Sequence, residues 1–132
     1  MKGDLNIPKV EGVEIVALIR DDDDQLWDIV IINRKAHPLK NVMITSKGYG
    51  KINGEKKETS TLRHMIAELS PNSIAVVEPI QVEVFHLTNE YWVSYYLHNQ
   101  MYDKKFIFVP DSIQEKNISA ISGFDLRGVI HK

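Results

Sequence analysis

The stretch EYWVSYYLHNQMYDKKFIFVP, residues 90–110, decides the fold class. Tyr91, Val93, Tyr95 and Leu97 recur with a period of two, and beyond a polar tip so do Tyr102, Phe106 and Phe108. That is the period of a strand, whose successive side chains point to opposite faces, so the stretch reads as a β-hairpin. A two-residue turn at Asn99-Gln100 sets Leu97 opposite Tyr102, Tyr95 opposite Lys104, Val93 opposite Phe106 and Tyr91 opposite Phe108. That face is expected to line the core. The other face carries Tyr96 near the tip and Trp92 opposite Ile107 at the base, an apolar patch that needs a cover. The expected cover is the segment after Pro110, where Ile113, Ile118, Ile121 and Phe124 need a surface to pack on. A second subunit is the alternative.

The same short period recurs along the chain. VEIVALI (Val13–Ile19) and LWDIVIIN (Leu26–Asn33) flank the acidic run Asp21, Asp22, Asp23 and Asp24. Both faces of the second segment are apolar, which predicts a central strand. NVMITSKGYG forms a third strand, and Asn53-Gly54 is a tight-turn signal. TSTLRHMIAEL fits either a helical face or a strand, and its Thr-rich start favours the strand. SPNS reads as a turn, IAVVEPIQVEVF as one or two short strands around Pro79, and RGVIHK as a strand closing a sheet edge. Ser112, three residues before Glu115, has the capping-box spacing of a short helical turn. Seven or eight short strands with connections too short for helical crossovers predict an all-β fold. Its expected form is an immunoglobulin-like antiparallel β-sandwich over residues 1–132, with a barrel as the alternative.

With 16 Lys and Arg against 18 Asp and Glu, the formal net charge is −2, and no basic excess points to nucleic acid. The absence of cysteine removes disulfides, thiol nucleophiles, thiolate zinc sites and iron–sulfur clusters. The longest apolar run, IVII at residues 29–32, falls far short of the roughly 20 residues of a membrane span. The first residues form no signal peptide, because Asp4, Lys9, Glu11 and Glu14 interrupt them. These readings give a cytoplasmic protein with no membrane or nucleic-acid partner.

TSTLRH places Ser60, Arg63 and His64 together and raises hydrolytic chemistry as a possibility. On a strand Ser60 and His64 stand about 13 Å apart, too far for a hydrogen bond, and no GxSxG elbow surrounds the serine. SKGYGKINGEKK fails both nucleotide-loop patterns, because Asn53 and Tyr49 stand where glycines are required. The Asp21–Asp24 run offers oxygen donors of the type calcium takes, yet an EF-hand counted from Asp21 finds Leu26 and Ile32 where Gly and Glu belong. The five histidines show no i,i+2 or i,i+4 pair, and no metal or cofactor is expected.

Several strings, NIPKVEGVEIVALI, WDIVIINRK, SKGYG, TSTLRH, YDKKFIF and LRGVIHK, resemble a family of small bacterial proteins sometimes labelled phenylalanyl-tRNA synthetase subunits. The resemblance implies a stand-alone domain. The label itself would require an ATP site, a phenylalanine pocket and the arginine-bearing motifs of a class II core, and none stands in these 132 residues. More loosely, WDIVIINRKAHPLKNVMITS followed by ELSPNSIAVVEP is similar to adaptin-appendage and other immunoglobulin-like sandwiches. The expected function is a non-catalytic protein-interaction or assembly module, with an unidentified protein or a second copy as partner and Trp92, Tyr96 and Ile107 as its binding surface. The alternatives are a hydrolytic or ligand-binding enzyme centred on Ser60, Arg63 and His64, and a synthetase-related RNA-binding protein.

Overall fold

The computed structural model describes residues 8–131, and strands make up most of it, with only short 3-10 turns as helical structure. Ten strands run in chain order: β1 (Val13–Ile19), β2 (Leu26–Asn33), β3 (Leu39–Ile52), β4 (Glu55–Glu58), β5 (Leu62–Leu69), β6 (Ser73–Gln81), β7 (Thr88–Leu97), β8 (Gln100–Phe108), β9 (Ser119–Ala120) and β10 (Arg127–His131). The first sheet has the order β6-β2-β1-β10-β9. The second has the order β4-β3-β7-β8, with β5 also pairing on β3. All pairings are antiparallel, and neither sheet closes into a barrel.

The two sheets enclose one core, because the alternating apolar residues of each point inward. Ile15, Ile29 and Ile31 of the first sheet are fully buried, as are Leu39, Val42, Ile44 and Phe106 of the second. Asn33 joins the two layers at one end. Its side-chain amide donates to the carbonyls of His37, Leu69 and Ser70 at 3.0, 3.2 and 3.0 Å, and its oxygen accepts the Lys35 N–H.

β2 lies between β6 and β1, as its two apolar faces require. The outward face of the first sheet is not left to water. Val16, Leu18, Val30 and Ile32 pack with Ile121, and Phe124 and Leu126 add to the same cluster. The segment after Pro110 therefore caps the first sheet, whereas the sequence placed it over the hairpin. Ile113 and Ile118 of that segment pack on the main core, and Trp92 stays 47% exposed. The reason is demand: one face of β1 and β2 carries four large aliphatic side chains, against Trp92 and Ile107 at the hairpin base.

The hairpin differs from expectation by one residue at its tip. The turn is His98-Asn99, both left-handed at φ 51° and 62°, and Leu97 pairs with Gln100. A two-residue turn matching the strand twist needs positive φ at both central positions, which Asn and His adopt more readily than most residues. Every pairing moves by two residues, so Tyr91 meets Phe106 and Trp92 meets Lys105 instead of Ile107, while the faces keep their sides. Three further differences are local. Val82–His86 is a 3-10 turn where a strand was expected, because the chain crosses there from the first sheet to the second and drops Phe85 edge-on against Trp27. Arg127–His131 of RGVIHK form β10 inside the first sheet, and the two-residue β9 takes the edge. The expected helical turn after Ser112 is a 3-10 turn over Glu115–Asn117. Among the described residues no helix is long and apolar enough to cross a membrane.

Candidate functional site

Two regions combine polar chemistry or exposed apolar surface with a defined geometry. The first is a cleft where the sheets part, between β6 on one side and β3, β5 and β7 on the other. It arises from a β-bulge: Glu78 pairs with Ile29 and Val76 with Val30, leaving Val77 as the extra residue. A bulge turns neighbouring side chains toward one face, and here both Val77 and Glu78 point into the space between the sheets.

Glu78 is the hub. Its Oε1 accepts the Ser46 hydroxyl at 2.7 Å and lies 2.6 Å from Nε2 of His64, while the Tyr91 hydroxyl approaches Oε2 at 3.4 Å. The Glu78 side chain is 12% exposed. Burial pushes the Tyr91 phenol pKa well above its ordinary value, and the Glu78 charge adds to that push, so Tyr91 stays a neutral donor. In front of this carboxylate lies a cleft of about 490 Å³, lined by Ser60, Thr59, Leu62, Ile80, Val84 and Asn89 among others.

The sequence-derived trio does not converge. TSTLRHMIAEL is a strand only from Leu62, and Ser60 sits in the preceding loop at the cleft wall. His64 faces inward to Glu78, whereas Arg63 pairs with Thr45 on the outer face. The hydroxyl that shares a carboxylate with His64 belongs to Ser46, and both contact the same oxygen. A serine nucleophile requires its hydroxyl on the imidazole, with the acid on the opposite ring nitrogen. Ser46 and Glu78 went unread in the sequence, and Tyr91 was read only as a core residue, although Ser46 interrupts the inward series Val42, Ile44 and marked a polar position in the core.

The second region is the outer face of the second sheet. Met65 lies beside Met43, Trp92 beside Thr45 and Lys105, and Tyr96 beside Met101. These five large apolar side chains are all exposed, Met65 most at 66%. Lys105 Nζ stands 4.9 Å from the Trp92 ring centre. Ile107 is half-buried next to Glu90, and its N–H donates to His131 Nε2 at 3.3 Å. Glu90 is buried on this face among Tyr49, Lys47 and Lys105.

The acidic run forms the β1–β2 loop, where Asp23 Oδ1 accepts the Gln25 N–H at 2.8 Å and Asp24 takes the Gln25 side chain. Among the described residues no group of three His, Cys, Asp or Glu is placed to hold a metal ion. Comparison of the chain with protein families, with curated proteins and with solved structures gives no match.

Proposed function

We propose that the protein is a non-catalytic assembly module of the immunoglobulin-like sandwich type, and that it pairs with a second copy of itself through the β5 edge. The observation that carries this reading is the contrast between β5 and the other edges. Folded proteins guard exposed strand edges with charge, proline, bulges or shortness, because an open edge invites another strand. β6 carries Pro79 and a bulge, β8 carries Asp103, Lys104 and Lys105, β4 is the charged tetrapeptide EKKE, and β9 has two residues. β5 is eight residues long, holds no proline or glycine, carries only two charged residues of opposite sign, Arg63 and Glu68, the latter paired with Lys40, pairs only with β3 among the described residues, and exposes Leu62 and Met65.

A two-fold axis perpendicular to the sheet makes two β5 strands antiparallel and sets residues of the same face opposite each other. With the axis at Met65, its side chain meets its own copy, and Arg63 meets Ala67. The outer faces bearing Trp92 and Tyr96 then join across both protomers. Sedimentation velocity at micromolar concentrations should show a dimer, and Met65→Lys, which opposes two ammonium groups, should give a folded monomer. A monomeric wild type, or a Met65→Lys protein that still dimerises, would remove this reading.

A further inference from the structure

We infer that the inter-sheet cleft at Glu78 is a receptor for a primary ammonium group on an aliphatic stem. Glu78 is a mostly buried carboxylate whose partners are Ser46, His64 and Tyr91, with no Lys or Arg ion pair among the described residues. Its two oxygens are unequally used. Oε1 holds two short contacts, whereas Oε2 has one bond at 3.4 Å, near the limit of a hydrogen bond. A carboxylate accepts about four hydrogen bonds, so Oε2 retains capacity for a charged donor.

The surroundings select the cation. Lys47 reaches the cleft wall but turns its ammonium to the outer face, 3.9 Å from Glu90, so no resident cation faces Glu78 from that strand. Apart from His64, which is engaged on Oε1, the neighbouring polar groups are neutral: Ser46, Ser60, Thr59, Asn89 and the Tyr91 phenol, held protonated by its burial. Their oxygens accept from an ammonium. A metal ion asks for several anionic or imidazole ligands, and one carboxylate with one imidazole already bonded to it does not make the group of three that such a site needs. Leu26, Leu62, Ile80 and Val84 give apolar walls for a methylene stem. A lysine side chain of another protein and a free alkylamine both carry this chemistry.

The experiment titrates ¹⁵N-labelled protein with n-pentylamine, with n-pentanol as the uncharged analogue, and with a capped Ser-Lys-Ser peptide. Saturable shifts at Ser60, Leu62 and Ile80 with pentylamine, weaker with pentanol, are expected. Glu78→Gln, which keeps an oxygen for Ser46 and His64 but loses the charge, should weaken the amine about tenfold or more. Tighter binding of the peptide than of pentylamine identifies a protein lysine as the source, and exclusion of the peptide identifies a free amine. Equal binding of pentanol, unchanged affinity in a folded Glu78→Gln protein, or no saturable shift with pentylamine overturns the inference.

Discussion

Gly128 on β10 pairs with Leu18 of β1 and with Ser119 of β9. A methyl group built there would lie 2.4 Å from the Ala17 carbonyl oxygen and 3.0 Å from both Ala17 C and Val16 Cγ1. That is about 1 Å short of ordinary non-bonded contact, and the obstacle is backbone, which cannot rotate away. In Gly128→Ala β10 must therefore back off from β1. Overpacking of this kind costs about 1–3 kcal/mol, and each ladder hydrogen bond lost adds about 0.5–1.5 kcal/mol. With one or two bonds lost the sum is about 2–5 kcal/mol, a large share of the roughly 5–15 kcal/mol that holds a domain of this size together. Gly54→Ala is the control: nothing stands within 4 Å of the added methyl, and only the positive φ of 82° resists it. That strain costs about 1–2 kcal/mol. Urea unfolding followed by tryptophan fluorescence measures both. Gly128→Ala within about 0.5 kcal/mol of wild type, or less damaging than Gly54→Ala, would show that β10 does not run against β1 at this register.

Asn33→Ala should cost about 2–4 kcal/mol in the same assay, because it leaves the carbonyls of His37, Leu69 and Ser70 without their shared donor; a change below about 1 kcal/mol contradicts the bridging role. Alkaline pH should destabilise the fold through two buried tyrosines. Burial, and secondarily Tyr102, pushes Tyr95 up to about 12, and Tyr91 is raised as well. Both hold their protons more tightly when folded, so their stabilisation is complete below about pH 10 and declines as pH rises through the native values, by about 1.4 kcal/mol per pH unit for each. Among the described residues the Tyr95 hydroxyl has no hydrogen-bond partner, so Tyr95→Phe should be neutral or stabilising at pH 7 while reducing the alkaline slope by about half. Urea melts between pH 8 and about 12 test both statements, and an unchanged slope contradicts them.

Strand positions were legible where the period of two was undisturbed. Val13–Ile19 and Leu26–Asn33 follow directly from their short, β-branched apolar runs, and Asn53-Gly54 is the left-handed turn its residue types require. Legibility failed where tertiary geometry overrode a local pattern. VEVF alternates as a strand does, yet the crossing between sheets makes it a 3-10 turn. The second apolar face of β2 signalled burial but not what would bury it, since Ile121 lies far along the chain. The cleft was hidden for a similar reason. Glu78 meets Ser46 across 32 residues, and only the bulge at Val77 turns it inward. Nothing in VVEPI announces a bulge.

The pairing of β1 with β10 also sets the order in which the molecule can be completed. Ile15 and Val16 leave a ribosome well before their partners His131 and Ile130, which lie more than a hundred positions later. The β7–β8 hairpin needs only its own turn, so it can form early, while the first sheet stays unfinished until the last strand arrives. Until then β1 presents an unsatisfied edge beside β2, and Val16, Leu18, Val30 and Ile32 lack their cover. The interval during synthesis is thus when this chain is most exposed to aggregation, and a chaperone that binds extended apolar segments would find its natural client in residues 13–33.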